Sequence, residues 1–275
     1  MQKIAVNGTE LEYQEEGRGE PLLLVSNGPF PDSFVHFFNQ PALHDHYRLI
    51  CYRQRRWGEG VEAAVSFEQH AADAVDLLDG LGIDRAHVAG HSTGACIALQ
   101  LASTRPRLVH SLILMELVIM AVPAAPLFVE KIGPALAAYE RGEREEAMRL
   151  FVTNATGLDW QSVQAAVDQC APGALDLALR NGRNLFESYL PALGQWRFGS
   201  DEAASIAQPI LSVTGSETGP LFRQSNEALR SWFPHVEERR IEGLSHLLHL
   251  QDPDPVVPAI DAFLAHHAMT AAVGR

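Results

Sequence analysis

Three features of this sequence have the residue types and the spacing that covalent catalysis requires. Ser92 stands between glycines in Gly90-His91-Ser92-Thr93-Gly94, and His246 ends the segment Gly243-Leu244-Ser245-His246. Glu116 is a lone carboxylate inside an apolar run. A serine hydroxyl becomes nucleophilic when an imidazole accepts its proton and a carboxylate orients that imidazole. The pattern therefore indicates acyl transfer, with Ser92 as the candidate nucleophile.

The glycines around Ser92 fit a strained turn between a strand and a helix. The serine has to stand clear of the preceding strand, and a side chain at either flanking glycine would crowd that turn. The N–H of Thr93 would then lie at a helix N-terminus, where a developing oxyanion is stabilised. The alternative is a glycine-rich loop in which Ser92 only caps the helix. The strand predicted at Ala86–Ala89 favours the catalytic interpretation.

This strand–turn–helix arrangement resembles the α/β-hydrolase superfamily over nearly the full length of the chain. The resemblance implies a mostly parallel sheet with helices on both faces and an inserted helical lid. It also implies that His246, in a G-x-x-H segment after the last strand, is the catalytic histidine. His249, one helical turn later, is the alternative.

The second oxyanion donor is expected in the loop after the first long strand. Here Ser26-Asn27-Gly28-Pro29 replaces the family's usual His-Gly loop. Pro29 has no N–H and cannot donate. Gly28 is in register with the family's donor, so its N–H is expected to pair with that of Thr93. Phe30 is the alternative donor.

The acid of the triad departs from the usual family pattern. Most members carry it as G-x-x-D after the strand predicted here at Ile210–Thr214, but Thr218 stands in that register. Glu217 is adjacent to it. Glu116 follows the neighbouring strand, and a buried carboxylate there would need a partner such as His246. Zearalenone lactonase resembles this arrangement, so Glu116 is the predicted acid and Glu217 the alternative.

The elements that position these residues alternate between strands and helices. This order predicts an α/β core over residues 1–120 and 208–275. Residues 121–207 lack strand patterns and predict a helical lid over the carboxyl edge of the sheet. Within it, one helix is predicted over Leu175–Tyr189. Aromatic residues of the lid and of the oxyanion loop could line an apolar substrate pocket. The substrate-binding residues are predicted to be Phe30, Trp160, Phe186 and Trp196, with Tyr189 and Phe128 as further possibilities.

Composition excludes several other functions. The net charge is −13 and no long Lys/Arg run occurs, so we expect no nucleic-acid partner. Glu116 and two prolines interrupt the most apolar stretch, Leu112–Phe128, so we expect no membrane span. The histidine pairs lack zinc-motif spacing, which predicts no metal site. Three cysteines and an N-terminus without an apolar signal region favour a reducing, cytoplasmic location.

Together these observations predict a serine hydrolase that cleaves an ester or lactone of a small hydrophobic substrate. No cofactor is expected, because an acyl-enzyme mechanism needs only the triad and the oxyanion donors. A carbon–carbon bond hydrolase or a cofactor-free haloperoxidase on the same triad remains an alternative. So does a non-catalytic ligand receptor that keeps the pocket.

Overall fold

Short apolar runs bounded by turn residues form the strands of one sheet. The computed structural model describes residues 1–55, 64–180 and 182–269, and eight strands lie within those ranges. They are β1 (Gln2–Val6), β2 (Thr9–Gly17), β3 (Glu20–Val25), β4 (Tyr47–Tyr52), β5 (Ala86–His91), β6 (Val109–Met115), β7 (Ile210–Gly215) and β8 (Glu237–Ile241). Their order across the sheet is β1-β2-β4-β3-β5-β6-β7-β8.

The sheet is mostly parallel. Neighbouring strands from β4 and β3 through β8 are parallel, whereas β2 is antiparallel to both β1 and β4. Asn7 and Gly8 connect β1 to β2 with φ values of 41° and 73°, as a tight hairpin turn requires. In β3, Leu22 and Leu24 enter one core and Leu23 enters the other. Burial on both faces explains why the central strands are continuously apolar.

Helices cover both faces of this sheet. The helical elements in the described part of the chain are a 3₁₀ helix (Val35–Asn39), α1 (Pro41–His44), α2 (Phe67–Gly80), α3 (Thr93–Thr104), α4 (Ala125–Glu140), α5 (Arg144–Thr156), α6 (Trp160–Cys170), α7 (Ala174–Arg180), α8 (Gly182–Asn184), a π-helical turn (Leu185–Tyr189), α9 (Leu190–Gln195), α10 (Ser200–Ala203), α11 (Pro220–Trp232), α12 (Leu248–Gln251) and α13 (Pro253–His266). Helices α2 and α3 pack on one face, and α1 and α13 on the other. None of the helices in the described part of the chain has the length and apolar character needed to cross a bilayer.

The block of helices between β6 and β7, which we call the helical insertion (residues 121–207), differs from the prediction in one place. The helix predicted over Leu175–Tyr189 ends as the π-helical turn Leu185–Tyr189 rather than as α-helix. Ser188 and Tyr189 each form a hydrogen bond that holds this turn to residues outside the insertion. Ser188 Oγ accepts from the Val65 N–H at 3.0 Å, and the Tyr189 hydroxyl donates to Gln54 Oε1. Such turns often occur at functional sites. The predicted division into core and lid stays a prediction, and residues 270–275 of the predicted core lie outside the described residues.

Candidate active site

Ser92 occupies the tight turn between β5 and α3. Its φ of 55° and ψ of −119° lie in a region that L-residues rarely adopt. A Cβ at Gly90 would lie 2.3 Å from the Gly94 carbonyl oxygen, and one at Gly94 would lie 2.1 Å from that of Val25. The Ser92 N–H donates to the Met115 carbonyl at 2.9 Å, which fixes the turn against β6. The strand–turn–helix context that the motif requires is therefore present.

Glu116 and His246 are in contact although 130 positions separate them in the sequence. Glu116 directly follows β6, has a φ of 50° and is fully buried. Its Oε2 lies 3.3 Å from His246 Nδ1, while its Oε1 accepts the Gly215 N–H at 2.8 Å. The Thr218 hydroxyl donates to Oε2 as well. The carboxylate is thus fully hydrogen-bonded, as a buried charge requires.

The two alternative residues lie elsewhere. Glu217 is exposed, and its carboxylate accepts a hydrogen bond from the Ser216 hydroxyl at 3.0 Å rather than from an imidazole. His249 is buried between the rings of Phe34 and His91, at centroid distances of 4.9 and 4.3 Å. Neither of its ring nitrogens has a hydrogen-bond partner within the described ranges. The structure therefore places Glu116, and not Glu217, against His246. His249 packs against Phe34 and His91 instead.

His91 connects the nucleophile turn to the two neighbouring loops. Its Nε2 lies 2.7 Å from the His246 carbonyl oxygen, and its Nδ1 lies 2.8 Å from Asn27 Nδ2. Because a carbonyl can only accept and an amide nitrogen can only donate, His91 carries its proton on Nε2. Burial lowers the pKa of His91 well below its ordinary value, so the ring is neutral. Phe222 stacks on His246 with centroids 4.0 Å apart and packs against that ring.

The loop after β3 presents Gly28 toward the nucleophile turn. The Gly28 N–H donates to Thr93 Oγ1 at 3.1 Å. The Phe30 N–H donates to Asn27 Oδ1 at 2.9 Å, so both candidate donors of this loop already have an acceptor within the protein. A Cβ at Gly28 would lie 2.7 Å from the Tyr189 ring, so a side chain larger than hydrogen has no room there.

One cavity connects these groups, and the space in it that the centre of a water-sized molecule can occupy is about 50 Å³. Besides Ser92, Thr93 and His246, it is lined by apolar and uncharged polar residues of the core and the helical insertion: Asn27, Pro29, Phe30, Val118, Phe128, Phe151, Val152, Ala155, Thr156, Leu185, Tyr189, Leu190, Leu193, Phe222 and Leu247. None of these described lining residues is Asp, Glu, Lys or Arg. The cavity therefore suits an uncharged, mainly apolar molecule.

Of the four predicted substrate-binding residues, Phe30 lines the cavity and the other three do not. Trp196 donates its indole N–H to Gln100 Oε1 at 2.9 Å and packs against Phe67. Phe186 stacks on Tyr139 at 4.4 Å, and Trp160 packs against the main core at the start of α6. Tryptophan and phenylalanine are large enough that they are often needed for the core of a small helical layer.

Sequence reasoning missed several lining residues. Phe222, which covers His246, is two positions after the proline that starts α11, and nothing in that spacing indicates the site. Val118 follows Glu116 by two positions, so the position of the acid is the signal that could have found it. Among the described residues, no cluster of His, Cys, Asp or Glu has the arrangement of a metal site.

Comparison with known proteins agrees with the fold. The model of the alpha/beta hydrolase fold family matches residues 22–253, which is most of the chain. The chain belongs to this family. The predicted fold and the prediction of a hydrolase of this fold are confirmed.

The relatives of this α/β hydrolase carry the names of several hydrolases. A provisionally named carbamate hydrolase, RutD of Stutzerimonas stutzeri, is 35% identical over 109 residues, which is 38% of this chain and 41% of that protein. A provisionally named esterase/lipase of Haemophilus influenzae is 23% identical over 248 residues, covering 89% of this chain and 83% of its own length. The crystal structure of the enol-lactonase from Burkholderia xenovorans LB400 has a TM-score of 0.76 at 20% identity, and the match covers 96% of this chain and all (100%) of that one.

Proposed function

We propose that this α/β hydrolase cleaves the ester or lactone bond of a small, uncharged, hydrophobic substrate through an acyl-enzyme on Ser92. The observation that carries the proposal is the 3.3 Å contact between His246 and the buried Glu116 carboxylate, on a histidine that lines the same apolar cavity as Ser92. The esterase, lactonase and hydrolase names among the relatives support the same reaction class.

The mechanism follows from the orientation of His246. A proton on Nδ1 directed at Glu116 leaves Nε2 free to accept the proton of the Ser92 hydroxyl. Ser92 Oγ then bonds to the carbonyl carbon, and the π electrons of the carbonyl move onto its oxygen. The N–H of Thr93 stabilises that oxyanion together with the N–H of Gly28, which the oxyanion shares with Thr93 Oγ1 as a bifurcated hydrogen bond, and Glu116 stabilises the imidazolium.

Collapse of the tetrahedral intermediate completes the first half of the reaction. The bond to the leaving oxygen breaks, and the imidazolium of His246 returns the proton to that oxygen. In an ester the alcohol departs, whereas in a lactone the new hydroxyl stays attached to the acyl group. Water, deprotonated by His246, then attacks the acyl-enzyme and regenerates Ser92.

The chemistry of the cavity argues for the substrate class. Burying a charged group without a partner costs several kcal/mol or more, and none of the described lining residues is Asp, Glu, Lys or Arg. Half of the lining residues belong to the helical insertion, including Phe128, Phe151 and Leu193. We infer that the insertion acts as a lid that covers the substrate. Free Cys51, Cys96 and Cys170 are consistent with a cytoplasmic enzyme.

A substrate panel and one active-site variant test the proposal. The panel pairs p-nitrophenyl butyrate with mono-p-nitrophenyl succinate, and a hydrophobic δ-lactone with its open-chain ethyl ester. We expect kcat/KM for the neutral ester to exceed that for the charged one by about a hundredfold or more, since ~3 kcal/mol corresponds to that factor. Ser92→Ala should abolish turnover and labelling by a fluorophosphonate, while stability changes by about 1 kcal/mol or less.

Ser231→Ala is the matched control, because Ser231 is an exposed serine on α11 and does not line the cavity. It should keep full activity. A wild-type protein that neither hydrolyses the panel nor reacts with the fluorophosphonate contradicts the proposal and favours a ligand receptor. Equal rates on the charged and neutral esters would contradict the substrate class alone.

A further inference from the structure

The side chain of Thr93, and not only its backbone, faces the reacting atoms. Thr93 is the first residue of α3 and lines the cavity beside Ser92 and His246. Its Oγ1 accepts the Gly28 N–H at 3.1 Å. The hydroxyl therefore lies directly beside the two backbone N–H groups that are expected to stabilise the oxyanion.

The proton of this hydroxyl has no acceptor among the described residues. Other helical threonines of this chain use their proton locally. Thr104, Thr153 and Thr156 each donate to the carbonyl four positions earlier, at 2.9, 3.0 and 2.8 Å. Thr93 cannot do so, because the residue four positions earlier is Ala89 in β5 and not part of the helix. A buried hydroxyl is expected to find an acceptor, and a substrate in the cavity can supply one.

We propose that the Thr93 hydroxyl is a third donor to the oxyanion. The Gly28 N–H occupies one acceptor position of Oγ1, which limits the rotation of the side chain and polarises the O–H bond. When the carbonyl oxygen becomes negative in the tetrahedral intermediate, the neutral O–H···O contact becomes a charge-assisted hydrogen bond. Thr93 keeps its proton throughout, so the proton transfers of Ser92 and His246 are unchanged. The contact stabilises the transition state more than the ground state.

This inference rests on the proposed function and has its own test. Thr93→Val removes the hydroxyl and keeps the shape, and Thr93→Ser keeps the hydroxyl and removes the methyl group. On p-nitrophenyl butyrate, we expect Thr93→Val to lower kcat by about 10²-fold, as for loss of one oxyanion donor, with KM changed by about threefold or less. Thr93→Ser should retain kcat within about fivefold.

A trifluoromethyl ketone provides a second readout. It forms an oxyanion with Ser92, so its inhibition constant should weaken by the same factor as kcat in Thr93→Val, whereas the corresponding alcohol, which forms no oxyanion, should bind equally well. If Thr93→Val does not fold, as judged by circular dichroism, Thr93→Ala replaces it, and the same loss is expected.

Two results would overturn the inference. A Thr93→Val or Thr93→Ala enzyme with kcat within twofold of wild type would show that the hydroxyl does not contact the oxyanion. An equal loss in Thr93→Ser would show that the methyl group and its packing matter instead. Either result leaves the proposed function intact as long as the wild-type protein hydrolyses the ester and reacts with the fluorophosphonate. Failure of the wild type in those assays is failure of the proposed function.

Discussion

Glu116 combines an unusual backbone conformation with a complete set of hydrogen-bond donors. Its positive φ is a few-kcal/mol strain that the surrounding structure has to hold in place. The donors are the Gly215 N–H, the Thr218 hydroxyl and the His246 ring. Thr218 stands in the register where the family resemblance implied the acid, and its hydroxyl donates to the carboxylate that follows the neighbouring strand.

The first prediction concerns Glu116 and Glu217. Glu116→Gln should lower turnover by about 10³–10⁴-fold, because a neutral amide neither stabilises the imidazolium nor selects the required tautomer of His246. Glu217→Gln is the matched control. It should change turnover by less than about twofold, because its exposed carboxylate is screened and does not contact the imidazole. Both variants are measured on p-nitrophenyl butyrate.

Circular dichroism and thermal unfolding of Glu116→Gln check that low turnover is not caused by unfolding of the protein. Strongly reduced turnover in Glu217→Gln, together with nearly normal turnover in Glu116→Gln, would contradict the assignment of Glu116 as the acid. In that case the acid would follow β7.

The acid shows what the sequence can and cannot predict at the scale of single residues. An apolar run around Glu116 predicts that its carboxylate is buried and paired, and the structure provides that pairing. The hydroxyl of Thr218 comes from 102 positions away, and no local pattern indicates that it donates to Glu116. The contact that brings Glu116 rather than Glu217 to His246 likewise spans 130 positions of the sequence.

At the scale of elements, the strands and the core helices could be predicted closely. β5 and β7 extend the predicted strands Ala86–Ala89 and Ile210–Thr214 by two residues and one residue, because apolar runs bounded by glycines mark these strands. The insertion was less predictable. Helical periodicity shows that Phe186 and Trp196 lie on apolar faces, but not whether such a face meets the cavity or another helix.

The π-helical turn connects the insertion to the oxyanion loop. The ring of Tyr189 covers Gly28, and its hydroxyl donates to Gln54 Oε1. Gln54 in turn donates from Nε2 to the Ser26 carbonyl at 2.8 Å. Tyr189, Gln54 and Ser26 are all buried. These successive hydrogen bonds therefore fix the loop that carries Gly28.

The second prediction is that loss of the Tyr189 hydroxyl lowers turnover through the loop. Tyr189→Phe keeps the ring on Gly28 but leaves Gln54 Oε1 buried without its donor, which costs about 1–3 kcal/mol. We expect kcat to fall by about tenfold, equivalent to ~1.4 kcal/mol of barrier, with KM changed by about threefold or less. Steady-state kinetics and urea unfolding measure the two effects.

Tyr139→Phe provides the control for this variant. Tyr139 is also a tyrosine of the insertion, and its hydroxyl donates to Glu187 at 2.7 Å, but it does not line the cavity. It should change stability slightly and kcat by less than about twofold. Equal losses of kcat in both variants would mean that the insertion acts as a whole and that the contact with Gln54 has no specific role.

At the scale of the whole molecule, the histidines determine the response to acid. Burial lowers the pKa of five described histidines: His36, His70, His87, His91 and His249. The pKa of His36 falls to about 4 and that of His70 to about 3, with desolvation as the main cause. Neither ring nitrogen of His70 has a hydrogen-bond partner in the described ranges, so protonation of that ring in the folded state is not compensated.

The third prediction is a loss of stability between pH 6.5 and about 4. In this window the unfolded chain binds protons on these histidines and the folded chain does not, so the free energy of unfolding falls as the pH falls. Each such histidine contributes up to about 1.4 kcal/mol per pH unit to this change in the free energy of unfolding.

Urea unfolding at pH 8, 6.5, 5.5 and 4.5 measures the slope of the free energy of unfolding against pH without heating the protein near its pI of about 5.3. His70→Phe, which keeps an aromatic ring against Tyr189, should reduce that slope, whereas His266→Gln should leave it unchanged because His266 is exposed. A free energy of unfolding that stays constant from pH 8 to 4.5 would mean that these imidazoles take up protons as readily in the folded protein as in the unfolded chain.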